Sequence, residues 1–451
     1  MYTSEQWGRL YSLRTRISPR KPVGFRPRST SRMRLTWCVA VVALAMLAPP
    51  SLRTYPLDGA ASTGIRRLIG YRLVNEKKIR GSVRLPPGAM LRSDQILLRL
   101  KSVNPAFDIT TGTPRDPYLQ AGVERIFGGR DSSYAVALLD ISDPNKPLYA
   151  SLHGDDKKIP GSVGKLCVVT GVFGALAATW PAIPDRQKVL RETMVEADSF
   201  IFTDGKTVPI YNDGDPAVVN RTMRIGDRFN LWEWLDHMLS QSSNAAGSTV
   251  WKQAMLIRRF GTSYPRPKAE QDAFIKDTPK TELSKLSLAA LETPLSGSGI
   301  DTSRLRLGTF FTRNASKAIP GTASYACPNE LLRWLVKLEQ GKVVDEWSSL
   351  EIKKLLYFVR PRYRYASSPA LSNAAVFFKS GSLFECKPEP GFRCKQYAGN
   401  VTNLMNSVAV VESGEKRYLI ALMSNVLRLN SATEHQNIAG EIEKLIQGRP
   451  R

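Results

Sequence analysis

The chain has 451 residues, 42% of them apolar and 9% aromatic, which is enough for a sizeable core and argues against a disordered polymer. Its 64 Lys and Arg against 40 Asp and Glu leave a net charge of +24, which suits an anionic cell envelope as partner. No basic cluster with interleaved aromatics follows the N-terminal tail, which sets nucleic acid aside. The three scattered histidines, His153, His237 and His435, supply neither a zinc set nor a histidine-based triad.

In chain order, residues 1–34 form a basic leader with nine Lys or Arg and one Glu. An apolar run over 35–48 follows, ending in Pro49-Pro50. It is short for a membrane span and fits the core of a signal peptide, so 35–50 reads as a signal peptide, or as a membrane anchor if uncleaved. Export is the expectation, to the periplasm or to the inner membrane facing it. Residues 51–130 are rich in Arg, Pro and Gly. They carry one helical pattern, 118–127, and no chemistry that can be assigned.

From residue 131 the patterns become regular. A strand over 134–141, a turn at Asp143-Pro144-Asn145-Lys146 and a returning strand over 148–152 predict a hairpin. Pro160-Gly161 then breaks the chain and an apolar helix begins, with Ser162 in its first turn and Lys165 one turn further on. An amine near a helix N-terminus and partly buried is disfavoured as an ammonium ion, and a serine beside a neutral amine is an activated nucleophile. Further on, 186–197 reads as helix, 204–215 as polar loop and 231–239 as an amphipathic helix running into Ser240 to Asn244. The stretch 261–325 reads as loop-rich, and a helix follows Pro328 with Asn329 as its cap. Residues 376–379 form a strand opening into Ser380-Gly381. A second hairpin, 407–411 with 418–423, turns over 412–416, and 433–446 is a closing helix capped by Thr433. The architecture expected is α/β (α+β): an antiparallel sheet of about five strands flanked by helices, with an all-helical subdomain.

Three motifs stand in order: Ser162-x-x-Lys165, then Ser242-Ser243-Asn244, then Lys379-Ser380-Gly381. Ser-x-x-Lys alone is weak, since it also occurs at Ser18 to Lys21 and Ser413 to Lys416. Three in order on suitable elements are far more specific. On these residues, 131–451 resembles the catalytic domains of the serine β-lactamase and penicillin-binding protein superfamily, closest to the class A side. The resemblance implies that Ser162 attacks an amide carbonyl with Lys165 taking its proton. It implies that Ser242 relays a proton to the leaving nitrogen and that Asn244 binds the substrate's side-chain amide. Lys379 and Ser380 would meet the substrate carboxylate, and the Ser162 and Ser382 amides would form the oxyanion hole. Gly381 would let the strand backbone approach the substrate. It implies a β-lactam or peptidoglycan peptide as substrate, and neither metal nor cofactor.

Two features qualify the resemblance. The Glu-x-x-Leu-Asn loop of class A enzymes is missing. Its nearest match is Glu292-Thr293-Pro294-Leu295-Ser296, and the stretch 309–317 has no carboxylate. This favours a peptidase-like or penicillin-binding role, with a catalytically reduced, basic envelope-binding protein as the alternative. Cys386 and Cys394 flank the turn-rich Pro388, Pro390 and Gly391 and are candidates for a disulfide in an oxidising compartment.

Overall fold

The computed structural model describes residues 56–83, 85–359 and 361–449. The expected basic leader and the apolar run of 35–48 lie outside them. The described residues form one compact unit. Its sheet has five strands, β1 (Ala135–Asp140), β2 (Leu148–Leu152), β3 (Ala375–Glu385), β4 (Thr402–Ser413) and β5 (Lys416–Asn425). They run in the order β2-β1-β5-β4-β3, and every neighbouring pair is antiparallel. The expected fold class and sheet are therefore found, with strands supplied by both ends of the chain.

Strand periodicity sorts the side chains into two cores. Val136 and Leu138 of β1, Val376 and Phe378 of β3, and Tyr418, Ile420 and Leu422 of β5 face one side. There they meet the helix α1 (Pro117–Phe127) and the closing helix Ser431–Gln447. Ala137, Leu139, Phe377, Leu419, Ala421 and Met423 face the other side and join the core of the helical layer. Both faces are covered, which is why β1 is buried along its whole length.

The helical layer is centred on α2 (Lys165–Thr179), with α3 (Leu231–Leu239), α4 (Asn244–Phe260), α5 (Lys280–Gly297) and α6 (Pro328–Glu339) around it. Among the described residues, 161–179 is the one stretch long and apolar enough to cross a membrane, and here it is a buried core helix. Gly171 lets α5 come close: a Cβ there would lie 2.5 Å from the Leu291 side chain and 2.8 Å from the Ala290 carbonyl oxygen. A capping box starts α3, since the Glu233 amide donates to Asn230 Oδ1 at 2.8 Å and the Asn230 amide donates back to Glu233 Oε2 at 3.1 Å.

Several local expectations need correction. The stretch 261–325 is largely helical, holding Lys268–Asp277 and α5. Its Ser, Thr and Pro294 dilute the apolar period, and burial of Leu283, Ala290, Leu291 and Leu295 supplies what propensity does not. The helix expected over 186–197 is Ile183–Glu192, and Met194–Glu196 pairs with Arg228–Asn230. The loop expected over 204–215 contains Thr207–Ile210, paired with Val219–Thr222. Asn329 is not a cap: Pro328 opens α6, and the Asn329 Oδ1 accepts from the Tyr149 hydroxyl at 2.6 Å. The closing helix is capped by Asn430, not Thr433. The third-motif strand does not end at Lys379 but continues to Glu385.

The segment before β1 is built into both cores. Leu57, Ile65 and Leu68 lie in the helical core, and Arg67 reaches Asp236 of α3 with two hydrogen bonds of 2.5 and 2.6 Å. Both side chains of this pair are essentially inaccessible to solvent. Arg66 adds a bond to Glu233 at 2.8 Å. Removing one partner of a buried ion pair strands the other, at a cost of about 3–5 kcal/mol. Arg67→Met is expected to lower the unfolding free energy by about that amount, read from denaturant titration. The double variant Arg67→Met, Asp236→Leu should recover most of the loss. An unchanged midpoint for the single variant would refute a structural role for the pair.

Candidate active site

Ser162 lies in a single 3-10 turn, Gly161–Gly164, that leads directly into α2. The turn is pinned from the sheet. Asn406 of β4 donates from Nδ2 to the carbonyl oxygens of Ile159 and Pro160, both at 2.9 Å. Gly381 of β3 lies directly against it: a Cβ there would fall 2.8 Å from the Pro160 oxygen and 2.9 Å from the Ser162 nitrogen. The resemblance implied that Gly381 lets the strand approach the substrate; here it also lets the strand approach the turn that carries Ser162. The Ser382 amide nitrogen comes in alongside, 3.7 Å from where a Cβ on Gly161 would sit.

Lys165 is fully buried. Its Nζ lies 3.0 Å from Ser162 Oγ, 3.1 Å from the Ser242 carbonyl oxygen and 2.8 Å from Asn244 Oδ1, over the face of Phe311. Burial pushes this amine well below the usual lysine range, and the cations Lys206 and Lys379 push it further. A neutral amine has two N–H donors and one lone pair. Donation to Ser242 and Asn244 leaves the lone pair for the Ser162 hydroxyl, which is the arrangement of a general base. Asn244 was expected to bind the substrate amide; its oxygen is also the orienting acceptor for Lys165.

Ser242 adopts the left-handed backbone region, with φ of 56°. That conformation costs a non-glycine residue about 1–3 kcal/mol and persists only where its surroundings hold it. Here Asp204 does the holding. Its Oδ2 accepts from Ser243 Oγ at 2.8 Å and from the amides of Asn244 and Ala245 at 2.6 and 2.9 Å, an anion seated at the N-terminus of α4. Lys379 Nζ donates to Ser242 Oγ at 2.8 Å, which ties the third motif to the second. Lys379 is also buried, and burial followed by the fields of Lys206 and Arg364 pushes its amine well down.

The structure thus brings Ser162, Lys165, Ser242, Asn244 and Lys379 into one connected cluster, with Ser380, Gly381 and Ser382 along its edge. Five further residues belong to it and were not found from the sequence: Asp204, Lys206, Arg364, Tyr397 and Asn406. Lys206 Nζ donates to the Ser242 carbonyl at 2.6 Å. Arg364 donates to Ser380 Oγ at 2.6 Å and Ser382 Oγ at 2.7 Å, and stacks on the Tyr397 ring. The Arg and Tyr alternation of 360–365 is the sequence signal for Arg364, too short to register as a basic cluster. Cys386 and Cys394 are joined as a disulfide, their Cα atoms 6.1 Å apart, in the insert that leads to Tyr397.

Among the described residues, no carboxylate hydrogen-bonds Ser162 or Lys165. The Glu292 carboxylate is engaged with Arg306 at 2.5 Å, and the aromatic ring of Phe311 covers Lys165. No grouping of three His, Cys, Asp or Glu side chains that could hold a metal occurs among these residues either.

No family model matches the chain, and no curated protein matches it. Solved structures do. A β-lactamase from Sphaerobacter thermophilus is 13% identical with a TM-score of 0.48, over 73% of this chain and 99% of that one. PBP-A is 11% identical with a TM-score of 0.47, over 75% and 99%. A β-lactamase from Desulfarculus baarsii is 18% identical with a TM-score of 0.46, over 75% and 100%. The order of the three motifs is the feature by which the sequence resembles the serine β-lactamase and penicillin-binding protein superfamily.

Proposed function

We propose that the chain is an exported serine hydrolase that forms an acyl-enzyme with β-lactams or D-Ala-D-Ala-type peptides and releases it slowly. The observation that carries this is the unbroken contact chain from Ser162 Oγ through Lys165 Nζ to the Ser242 backbone, and from Ser242 Oγ to Lys379. Neutral Lys165 takes the Ser162 proton as Oγ attacks the carbonyl carbon. The amides of Ser162 and Ser382 receive the oxyanion, a donor of this kind lowering the barrier by about 2.7–4 kcal/mol. The Ser242 hydroxyl, hydrogen-bonded to Lys379, passes a proton to the leaving nitrogen. Lys379, Ser380, Ser382 and Arg364 take the substrate carboxylate, with the guanidinium suited to two oxygens at once.

Deacylation needs a base for the incoming water, and among the described residues no carboxylate hydrogen-bonds Ser162 or Lys165 to serve as one. That supports a peptidase-like or penicillin-binding role over efficient lactam hydrolysis. The same gap, with the net charge of +24, also supports the second reading, a reduced enzyme that binds anionic envelope polymer in this groove. Export rests on the apolar run of 35–48, which would contact the membrane if uncleaved, and on the Cys386–Cys394 bond.

A fluorescent penicillin should label the wild type at Ser162, and Ser162→Ala should abolish the label. An unlabelled wild type would favour the binding reading. Nitrocefin should give a burst of about one equivalent followed by slow turnover, and rapid steady hydrolysis would defeat the argument from the missing acid.

The pH profile of acylation tests the base. The groups facing Lys165 are Lys206, Lys379, Arg364 and Asp204. The reactive form is the neutral amine, so the rate is lost as pH falls through the lowered Lys165 pKa. Lys379→Met removes one neighbouring cation and eases protonation of Lys165. Its acidic limb should therefore move to higher pH by about one unit, whatever happens to the maximal rate. A limb that stays in place would sink Lys165 as the base.

Periplasmic fractionation with Cys386 and Cys394 resistant to alkylation is expected, and a cytoplasmic pool with both thiols free would count against export.

A further inference from the structure

The three-motif chemistry leaves one amine without a task. Lys206 follows Asp204 in the same turn, and the two reach the site together, the carboxylate to the start of α4 and the amine to the Ser242 carbonyl at 2.6 Å. That carbonyl already accepts from Lys165 at 3.1 Å, so its hydrogen-bonding need is met without Lys206. Among the described residues the Lys206 amine makes this one hydrogen bond and no ion pair, although an ammonium has three donors. It approaches from the Ser242 side, two residues from Asn244, whereas Arg364, from the turn Arg364–Ser367, lies against Ser380 and Ser382 of β3.

Charge counting gives the same direction. With Lys165 and the likewise buried Lys379 both driven toward the neutral amine, the site still holds Lys206 and Arg364, while the Asp204 carboxylate is committed to the Ser243 hydroxyl and the first two amides of α4. The single carboxylate of a simple acyl donor balances one of these cations and is held at the β3 side. One cation remains unbalanced in a partly desolvated cleft, where an added anion is worth more than in water. Burial lowers Lys206 to about 8, which leaves it mostly charged at neutral pH.

We infer that Lys206 is a specificity residue that receives a second carboxylate, so that the preferred acyl donor is an amide or lactam carrying two carboxylates. One lies at the β3 side on Lys379, Ser380 and Arg364, and the other lies toward Asn244 on Lys206. This rests on the proposed acyl-enzyme reading and adds to it the charge class of the substrate.

Carbenicillin and benzylpenicillin differ by one carboxylate on the acyl side chain and serve as the probes. The full-length wild type should be acylated faster by carbenicillin. Lys206→Met should lower the ratio of the two acylation rate constants about tenfold or more, in the range of measured charge-pair couplings. Lys206→Arg should retain the ratio, and added salt should erode it in the wild type. An equal loss for both lactams in Lys206→Met would mean that Lys206 acts through Ser242 and would overturn the inference, as would an unchanged ratio.

Calorimetric binding of the same two compounds to Ser162→Ala separates the two readings. Preference for the dicarboxylate in Ser162→Ala, lost in Ser162→Ala with Lys206→Met, supports the inference even if the wild type never acylates. Acylation of the wild type with no preference between the compounds supports the acyl-enzyme and defeats the second carboxylate.

Discussion

Burying a primary amine sets the terms for everything around it. Lys165 lies at the start of α2 with no access to solvent, and among the described residues no carboxylate hydrogen-bonds its amine. A charged ammonium in such a place would cost several kcal/mol, so the group shifts its proton equilibrium instead. Two carbonyl-type oxygens and one hydroxyl surround it, the set of partners that a neutral amine can satisfy in full. The chemistry follows from that count. Two N–H bonds orient the amine, and the remaining lone pair faces the one group in the shell that can give up a proton.

The sheet supplies what α2 cannot. A helix can place Ser162 and Lys165 on one face but cannot bring the other two motifs to them. Register does this. Gly381 pairs with Asn406 across β3 and β4, so the residue that must lack a side chain and the residue that must carry an amide sit opposite each other. One lets the nucleophile's turn approach and the other ties it down. Lys379 reaches the Ser242 hydroxyl and Gly381 lies against the turn, while the Ser380 and Ser382 hydroxyls accept from Arg364. One short strand segment therefore meets both the second motif and the guanidinium.

The parts legible in the sequence are those whose signal is local. The hairpin of 134–152, the helix of 231–239 and the three motifs each announce themselves within a few residues, through alternation, apolar period or fixed spacing. The sheet followed from strands at both ends of one chain. What could not be read is long-range. α5 carries Pro294 and many hydroxyls, and it is a helix because α2 presents glycines for it to pack on. Arg67 is an ordinary arginine until Asp236 appears beside it from 169 positions away. Asp204 and Lys206 lie in a stretch that reads as polar loop. Nothing local says that one turn of it caps a helix and completes a site.

The Asp204–Lys206 turn also bears on the absent carboxylate. In a site that activates water with an acid, that acid lies close to the lysine, and its negative charge pulls a proton onto the amine. Here Phe311 stands over Lys165, and the acid whose field reaches it is tied up at the N-terminus of α4. Burial and the neighbouring cations favour the neutral amine, and the Phe311 ring offers nothing to an incoming water. On the proposed acyl-enzyme reading, this arrangement favours the first half of a two-step acyl transfer and leaves the second without a hydrogen-bonded acid among the described residues. An acceptor that brings its own nucleophile and charges, held by the surrounding cations, depends less on a fixed acid than water does. On that reading, a site with surplus positive charge and no carboxylate bonded to Ser162 or Lys165 among the described residues is better matched to holding and transferring an acyl group than to hydrolysing it quickly.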